Sequence, residues 1–399
     1  MSAPATDTSG SGGELPPRLP MAWLACAVFA AAAAIHYQAP MLGEIGAEFG
    51  ADAAAVGWVP TLSFGGFVAG MIFIVPLGDR LDKRRVILSQ IALLIVMSLI
   101  MAASPSLAAA AAASFGIGVS VCYTQSIFPM VVELTPPRER GRTVGTLLTA
   151  LFLGILFGRL AGGFVTSYLG WRWAYVFCAA FELALVPALA LRLPSTPPTT
   201  QLGYLPLIAS LGRFLCTHAG LRHAAAIQYC LGICYGGFWA TLAPMLLMMH
   251  HLGPTEAGLM GIPGAAGILI ARPAGRWLDR YGAFPVVMLG VCLVLAAYIA
   301  LGFAFWWVAP VIAGAMLLDC GLRAAMVANQ TLVTAQDPQA RSRFNTVYGA
   351  HVWGGNTSGA FLASTALAYG GWGAVCALGI AASGTALLLH LRTARPAPR

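Results

Sequence analysis

The feature that most constrains this chain is a succession of apolar stretches, each roughly 20 residues long, broken mostly by short polar segments. A helix crossing the hydrocarbon core of a bilayer needs about 20 apolar residues. Twelve such stretches can be marked, at 20–39, 54–77, 86–103, 106–132, 144–168, 173–192, 222–246, 256–274, 283–303, 305–334, 346–369 and 372–391. Charged residues make up 9% of the chain, where a soluble protein carries roughly a quarter. That charge cannot cover a surface facing water. In lipid every backbone polar group must be satisfied within the element, so apolar stretches of this length become helices. The chain is expected to be an all-α integral membrane protein with 12 transmembrane helices.

The few charges are unevenly placed. Six of the seven positions from Asp79 to Arg85 are charged, and nineteen of the 22 Lys and Arg fall in the tails or in and beside the even-numbered breaks. Arg172 sits on the other side, with Glu44, Glu48, Asp52 and Glu256, while Arg159 and Arg323 lie inside apolar stretches. Basic residues collect on the cytoplasmic side of membrane proteins, which puts both termini there. The net charge of +8 is then a signal of topology, and no nucleic-acid partner is expected. The opening "MSAPATDTSGSGGELPPRLP" lacks the basic start and cleavage site of a signal peptide and reads as a disordered tail. The nine Cys are scattered singly through apolar runs, where Cys serves as a small hydrophobe, so neither disulfides nor a metal site is expected.

Three matches recur at an offset of 200 or 201 residues. Asp79-Arg80 is repeated by Asp279-Arg280, Glu139–Arg142 ("ERGR") by Ala340–Arg343 ("ARSR"), and Gly170-Trp171 by Gly371-Trp372. Each keeps its place relative to the spans, so the chain divides into two six-helix halves. The expected divisions are a tail at 1–19, a first bundle at 20–193, a cytoplasmic linker at 194–221, a second bundle at 222–392 and a tail at 393–399. Within the linker, Leu205–Phe214 reads as an interfacial helix.

These features together resemble the major facilitator superfamily. Its signature after the second span is Gly-x-x-x-Asp-Arg-x-Gly-Arg-Arg. The second copy here keeps Gly275, Asp279, Arg280 and Gly282; the first keeps Asp79, Arg80 and Arg84, with Arg85 one position beyond, but has Val75 and Asp82 in place of the two glycines. "FGRLAGGFVTSYLGWRWAYVF" is similar to the Gly-rich stretch of the efflux (antiporter) branch, and "ANQTLVTAQDPQARSRFNTVYG" to bacterial arabinose-efflux-permease-like and drug-efflux transporters. The resemblance implies two pseudo-symmetric six-helix bundles whose first, fourth, seventh and tenth helices line a central cavity. It also implies a latch made by Gly78, Asp79, Arg80 and Arg84, with Gly275, Asp279, Arg280 and Gly282 as its counterpart. Asp79 would meet the start of the eleventh helix near Asn345 and Thr346. The smooth face of Gly154, Gly158 and Gly162 would meet the other half. The Arg that relatives carry early in the fourth span is absent from "AAAAAASFGIG".

An ionisable group at membrane depth is costly unless paired or wetted, which makes it a functional candidate. Asp319 and Arg323 share one helix face at i and i+4; Asp319 is the expected proton-titrating carboxylate and Arg323 its partner or a substrate contact. Arg159 and Glu182, on consecutive spans, are expected to pair. His36 titrates in the relevant range, and His351 is a further candidate. Gln38, Tyr123, Gln125, Tyr235, Phe238, Asn329 and Gln330 are expected to line the substrate cavity, with Tyr229 and Trp239 as further aromatic walls.

No phosphate-binding loop or nucleophile constellation occurs in the sequence, so an ion gradient is the expected energy source and an enzyme is not. The expected protein is a monomeric, cofactor-free transporter of the bacterial inner membrane. It would export a drug-like compound or secreted metabolite (a siderophore among the candidates) in exchange for protons. The alternative is a proton-coupled importer of an organic acid or sugar.

Overall fold

The computed structural model describes residues 19–196, 203–336 and 341–393, apart from the side chains of Asp79, Arg341, Ser342 and Thr393. The expected tails, 1–19 and 393–399, lie almost wholly outside these residues. All regular structure among the described residues is helical. Eleven segments are long and apolar enough to cross a bilayer: Met21–Phe49, Ala53–Gly78, Lys83–Ala102, Leu107–Leu134, Arg140–Leu169, Trp171–Arg192, Ala219–His250, Pro254–Tyr281, Ala283–Leu301, Ala309–Ala335 and Arg343–Arg392. The last holds two helices that meet at Gly371, which gives twelve spans, numbered here in chain order.

Local chemistry explains the departures from the sequence reading. The tenth span begins at Ala309, leaving Trp306 and Trp307 exposed before it, the position at which indoles anchor a protein at the lipid–water boundary. The first span breaks between His36 and Gln38, one turn before Pro40, which has no N–H to give the His36 carbonyl. The seventh span continues through Gly236, Gly237 and Pro244. Its glycines serve packing: a Cβ at Gly232 would lie 2.6 Å from the Val352 carbonyl of the eleventh span.

The two halves repeat one packing scheme. In the first half, the first span packs on the fifth, the second on the fourth and the third on the sixth; in the second half the seventh packs on the eleventh and the eighth on the tenth. His390 of the twelfth span reaches the Phe284 carbonyl of the ninth at 2.9 Å. Each half has its own apolar core, one around Leu24, Met41, Ile91 and Trp171, the other around Val291, Leu318 and Trp372. The repeated Gly-Trp pair has a physical basis. Gly170 and Gly371 both take a positive φ, 90° and 66°, a turn that any residue with a Cβ resists. Each turn drops a buried Trp into its core, where Trp171 Nε1 donates to Glu48 and Trp372 Nε1 to the Leu301 carbonyl.

One implied contact is corrected. Gly154, Gly158 and Gly162 face the first span of their own half, against Phe29, Ala33 and Tyr37. The glycine of this span that meets the other half is Gly163, packed against Pro254 and Gly258 of the eighth span. Near it Thr255 Oγ1 donates to Ser167 Oγ at 2.8 Å, and Gly43 packs on Leu247 and Gly57 on Ser364. The halves are therefore closed together at this end. At the other end, which carries the basic residues, a Cβ at Gly145 or Gly275 would meet nothing.

Asp82, the departure from the family signature, has a task of its own. It accepts from Arg84 N at 3.0 Å, capping the third span, and from Ser195 Oγ and Thr196 N, tying down the chain that leaves the sixth. Partial burial opposes ionisation of Asp82, but these hydrogen bonds and the Arg85 charge outweigh it and hold the carboxyl below its usual range. The linker helix spans Tyr204–Thr217. It buries Leu207 and Leu211, the latter in a cluster with Leu221, Val333 and Phe344 of the second half, and donates from Tyr204 Oη to Phe73 O of the first.

Candidate functional site

At the centre of the molecule, charged side chains from both halves meet. Arg159 of the fifth span is 2% exposed. Its Nη2 donates to Tyr235 Oη of the seventh span at 2.5 Å, and its guanidinium carbon lies 3.3 Å from the Trp239 ring centroid. Stacked on an indole and shielded from water, an Arg retains much of the attraction that hydration would otherwise weaken. Asp319 of the tenth span is 1% exposed, and Arg323 Nη2 stands 4.0 Å from its Oδ1. Arg323 also stacks over Phe152 of the fifth span at 4.9 Å. The other Asp319 oxygen, Oδ2, has no hydrogen-bond partner; Trp239 Nε1 interacts with this carboxylate but misses hydrogen-bond geometry.

The eighth span makes this arrangement possible. Gly258, Gly261, Gly264 and Gly267 fall at every third position. A Cβ at Gly261 would lie 3.1 Å from Arg159 Cβ, one at Gly264 3.2 Å from Asp319 Oδ2, and one at Gly267 2.8 Å from the Asp319 carbonyl. The small residues let three helices converge on one point. This glycine row and Phe152 are absent from the sequence-based candidates, and the i, i+3 spacing was the signal for the former.

Two small cavities of about 10 Å³ flank Arg159, each about the size of one water. His36, Gln38, Pro60, Phe64, Tyr235 and Trp239 line one of them with Arg159. Phe152, Gly261, Gly264, Asp319 and Arg323 line the other. Tyr235, Gln38 and His36 thus join Arg159, Asp319 and Arg323; His36 Nδ1 is engaged with Ala32 O at 2.7 Å and Gln38 Nε2 donates to Ile35 O.

The remaining candidates lie elsewhere. Arg159 and Glu182 do not pair, because Arg159 turns toward the seventh span. Glu182 is sealed inside the first bundle, where Tyr123 Oη lies 2.8 Å from its Oε1 and 2.7 Å from the Ala27 carbonyl. Tyr123 is therefore a core residue and not a cavity wall. Phe238 is likewise fully buried, packed edge-on against Trp239 at 5.1 Å. Asn329 is 2% exposed with Nδ2 unpartnered, and Gln330 Nε2 donates to Asn345 Oδ1. Gln125 lines a separate cavity of about 160 Å³ at the basic end with Met71, Gly78, Asn345 and Thr346. His351 is bound to the Val347 carbonyl of its own helix, and Tyr229 Oη meets Ser358 Oγ.

Of the implied latch, the Asp79 side chain lies outside the described residues. Arg84 donates to the Ala190 carbonyl at the end of the sixth span, so it stays within its own half. Gly78 packs near Ser126 Oγ, also in the first half. Arg80, Asp279, Arg280 and Gly282 are exposed, Arg280 lying over Tyr281 at 5.1 Å. Gly282, with φ of 80°, starts the ninth span. Gly275 faces open space. Among the described residues, no group of His, Cys, Asp or Glu is arranged to hold a metal ion.

The sequence and fold both have relatives. The chain is 32% identical over 369 residues to the Escherichia coli O157:H7 protein named uncharacterized transporter YgaY, covering 92% of this chain and 93% of that one. It is 30% identical to the probable transporter SCO4007 of Streptomyces coelicolor, covering 90% and 84%. It is 22% identical to a multidrug resistance protein B homolog of Mycobacterium tuberculosis, covering 81% and 71%. In three dimensions it superposes on an inward-facing, unoccupied bacterial homolog of the human lysosomal transporter Spinster. That match has a TM-score of 0.75 at 16% identity, over 95% of this chain and 98% of that one. The human organic anion transporter MFSD10 gives 0.70 at 17% identity, over 95% and 99%. The model of the Major Facilitator Superfamily matches residues 24–228 and again 228–399. With both halves matched and the twelve-span fold shared, this chain belongs to the Major Facilitator Superfamily, and it is a multi-pass membrane transporter.

Proposed function

We propose that this transporter exports a small organic molecule across the bacterial inner membrane by proton antiport, cycling between conformations open to either side, with both termini in the cytoplasm. The observation that carries the reading is Asp319: a buried carboxylate, half unpartnered, in the seam between the halves and opposed by Arg159 of the other half. A group in that place interacts differently with the two halves in each conformation, so its protonation biases one conformation over the other. A drug-like compound or secreted metabolite, a siderophore among them, suits the reading, as does the name of the Mycobacterium tuberculosis relative. The protein would act alone, with substrate, protons and lipid as its partners.

In everted membrane vesicles, Asp319→Asn is expected to abolish substrate-dependent proton movement while the protein still inserts and folds. Coupling that survives the substitution refutes the assignment. A second reading is import of an organic acid: two guanidinium groups, Arg159 and Arg323, face a single carboxylate and suit an anionic cargo in either direction. Comparing intracellular and secreted metabolites in a deletion strain separates the two, since an exporter's substrate accumulates inside.

A further inference from the structure

The central cluster is unbalanced in a way that specifies what fits it, granted the transport reading above. Arg159, Trp239 and Asp319 are each at most 3% exposed, yet Arg159 Nε and Arg323 Nε have no hydrogen-bond partner, and Trp239 Nε1 and Asp319 Oδ2 have none beyond the loose approach of the indole to that carboxylate. Buried polar atoms left unpaired are costly, so such a set marks where another molecule bonds. Three of the four are donors and two of those sit on guanidinium groups. The fourth, Asp319 Oδ2, only accepts when ionised. Two positive charges face one negative charge.

We infer that the substrate is a small organic acid that also carries a hydrogen-bond donor, such as a hydroxyl or an amine. Its anionic group takes the donors of Arg159, Trp239 and Arg323, and its own donor takes Asp319 Oδ2. The flanking cavities, about 10 Å³ each, admit no such molecule while the halves are closed. Entry requires them to part along contacts that cross the seam here, Arg159 with Tyr235 and Trp239 and Arg323 with Phe152.

The donor ties the substrate to the Asp319 proton. Protonating Asp319 acts on such a ligand twice: it weakens the bond from the ligand's donor to Oδ2 and enlarges the positive surplus that holds the ligand's anionic group. Substrate affinity and the protonation of Asp319 are therefore linked through one carboxyl. The other groups around Asp319 are Arg159 from the fifth span, Tyr235 and Trp239 from the seventh, and Arg323 and Cys320 on its own. The eighth span presents Gly264 and Gly267, and His36 lies beyond Arg159 on its far side.

The test is ligand-induced thermal stabilisation of the purified full-length protein. The probes are small molecules in four sets: acids with a hydroxyl or amine, the same acids with that group methylated, neutral molecules and cations. Stabilising compounds are expected in the first set. The best of them should bind Arg159→Gln and Arg323→Gln at least about tenfold more weakly, the scale of one lost charged hydrogen bond. Its methylated counterpart should lose a similar factor against the wild type and nothing further against Asp319→Asn. Above the ligand's own titration range, wild-type affinity should change with pH, and Asp319→Asn should remove that dependence. Arg159→Lys, which keeps the charge, serves if Arg159→Gln does not fold.

The inference is overturned if the stabilising compounds are cations or neutral molecules, if no acid stabilises, if the Arg variants bind normally, or if wild type and Asp319→Asn share one pH dependence. Binding is read without transport, so the two readings fail separately. Coupling that survives Asp319→Asn defeats the transport assignment, whereas ligands that are cations defeat this one.

Discussion

Gly158 and Gly163 stand little more than one turn apart on the fifth span, and adding a methyl to each should have different consequences. A Cβ at Gly158 would lie 2.7 Å from the Ala33 carbonyl and 2.9 Å from its Cα, both in the same half. One at Gly163 would meet the Pro254 carbonyl and lie 3.1 Å from Gly258 Cα, both in the other half. The obstacle is backbone in both cases, so it cannot rotate aside, and forced overpacking of this kind costs about 1–3 kcal/mol. At Gly158 the cost falls on the bundle in every conformation, and Gly158→Ala should lower Tm without changing which end is open. At Gly163 the cost is present only while the fifth and eighth spans are closed together. Gly163→Ala should then leave Tm nearly unchanged and raise the population open at that end by about 5- to 150-fold. The assay is the rate at which an impermeant maleimide, added outside intact cells, labels Ala240→Cys in a background cleared of the nine native Cys. Ala240 lines the cavity beside Arg159 and is 2% exposed, so labelling reports opening. Unchanged labelling in both Gly163→Ala and Gly163→Val, or an equal rise in Gly158→Ala, would refute the division between scaffold and seam.

Other perturbations test other parts of the structure. Asp82→Asn should lower Tm at neutral pH by weakening a cap, an effect of about 1 kcal/mol. Because the Asp82 carboxyl is held below its usual range, its contribution is complete above about pH 4 and is lost as pH falls through the lowered value; a Tm gap between variant and wild type that persists in acid counts against this. Gly371→Ala should cost about 1–2 kcal/mol of stability, since φ there is 66°, whereas Gly373→Ala, with open space around it, should cost little in a thermal melt. Tyr123→Phe removes the hydroxyl that faces Glu182 and should lower stability by about 1–3 kcal/mol; a melt identical to wild type would mean Glu182 is satisfied elsewhere.

Much of the architecture is legible in the sequence because lipid imposes a simple rule on every stretch independently. Length and hydropathy mark the spans, and the matches at offsets of 200 and 201 residues mark the two halves. The Gly-Trp repeat is visible as letters for a reason the backbone supplies, the positive φ at Gly170 and Gly371. The candidate site is legible in a weaker sense. Asp319, Arg323 and Arg159 stand out because charge at membrane depth is rare, and Tyr235 and Gln38 because polar groups there are uncommon.

Which of them meet is a different matter. Consecutive spans suggested Arg159 with Glu182, but helices five and six do not present those faces to each other, and Arg159 crosses the seam to Tyr235 and Trp239. The glycine face at Gly154, Gly158 and Gly162 could be read as an interface, but the resemblance gave it the other half as partner where it meets the first span, since small residues accommodate any helix that approaches. Asp82 looked like a missing glycine, and only the return of Ser195 and Thr196 to its side shows what it holds. The sequence by itself determined the membrane class, the spans and the charged residues that had to matter, because the cost of a polar group in lipid depends on that residue and its immediate run. The tertiary structure alone decided the pairing of those charges and the placing of the seam, because these depend on helix rotation and on which backbones come within a few ångströms of each other.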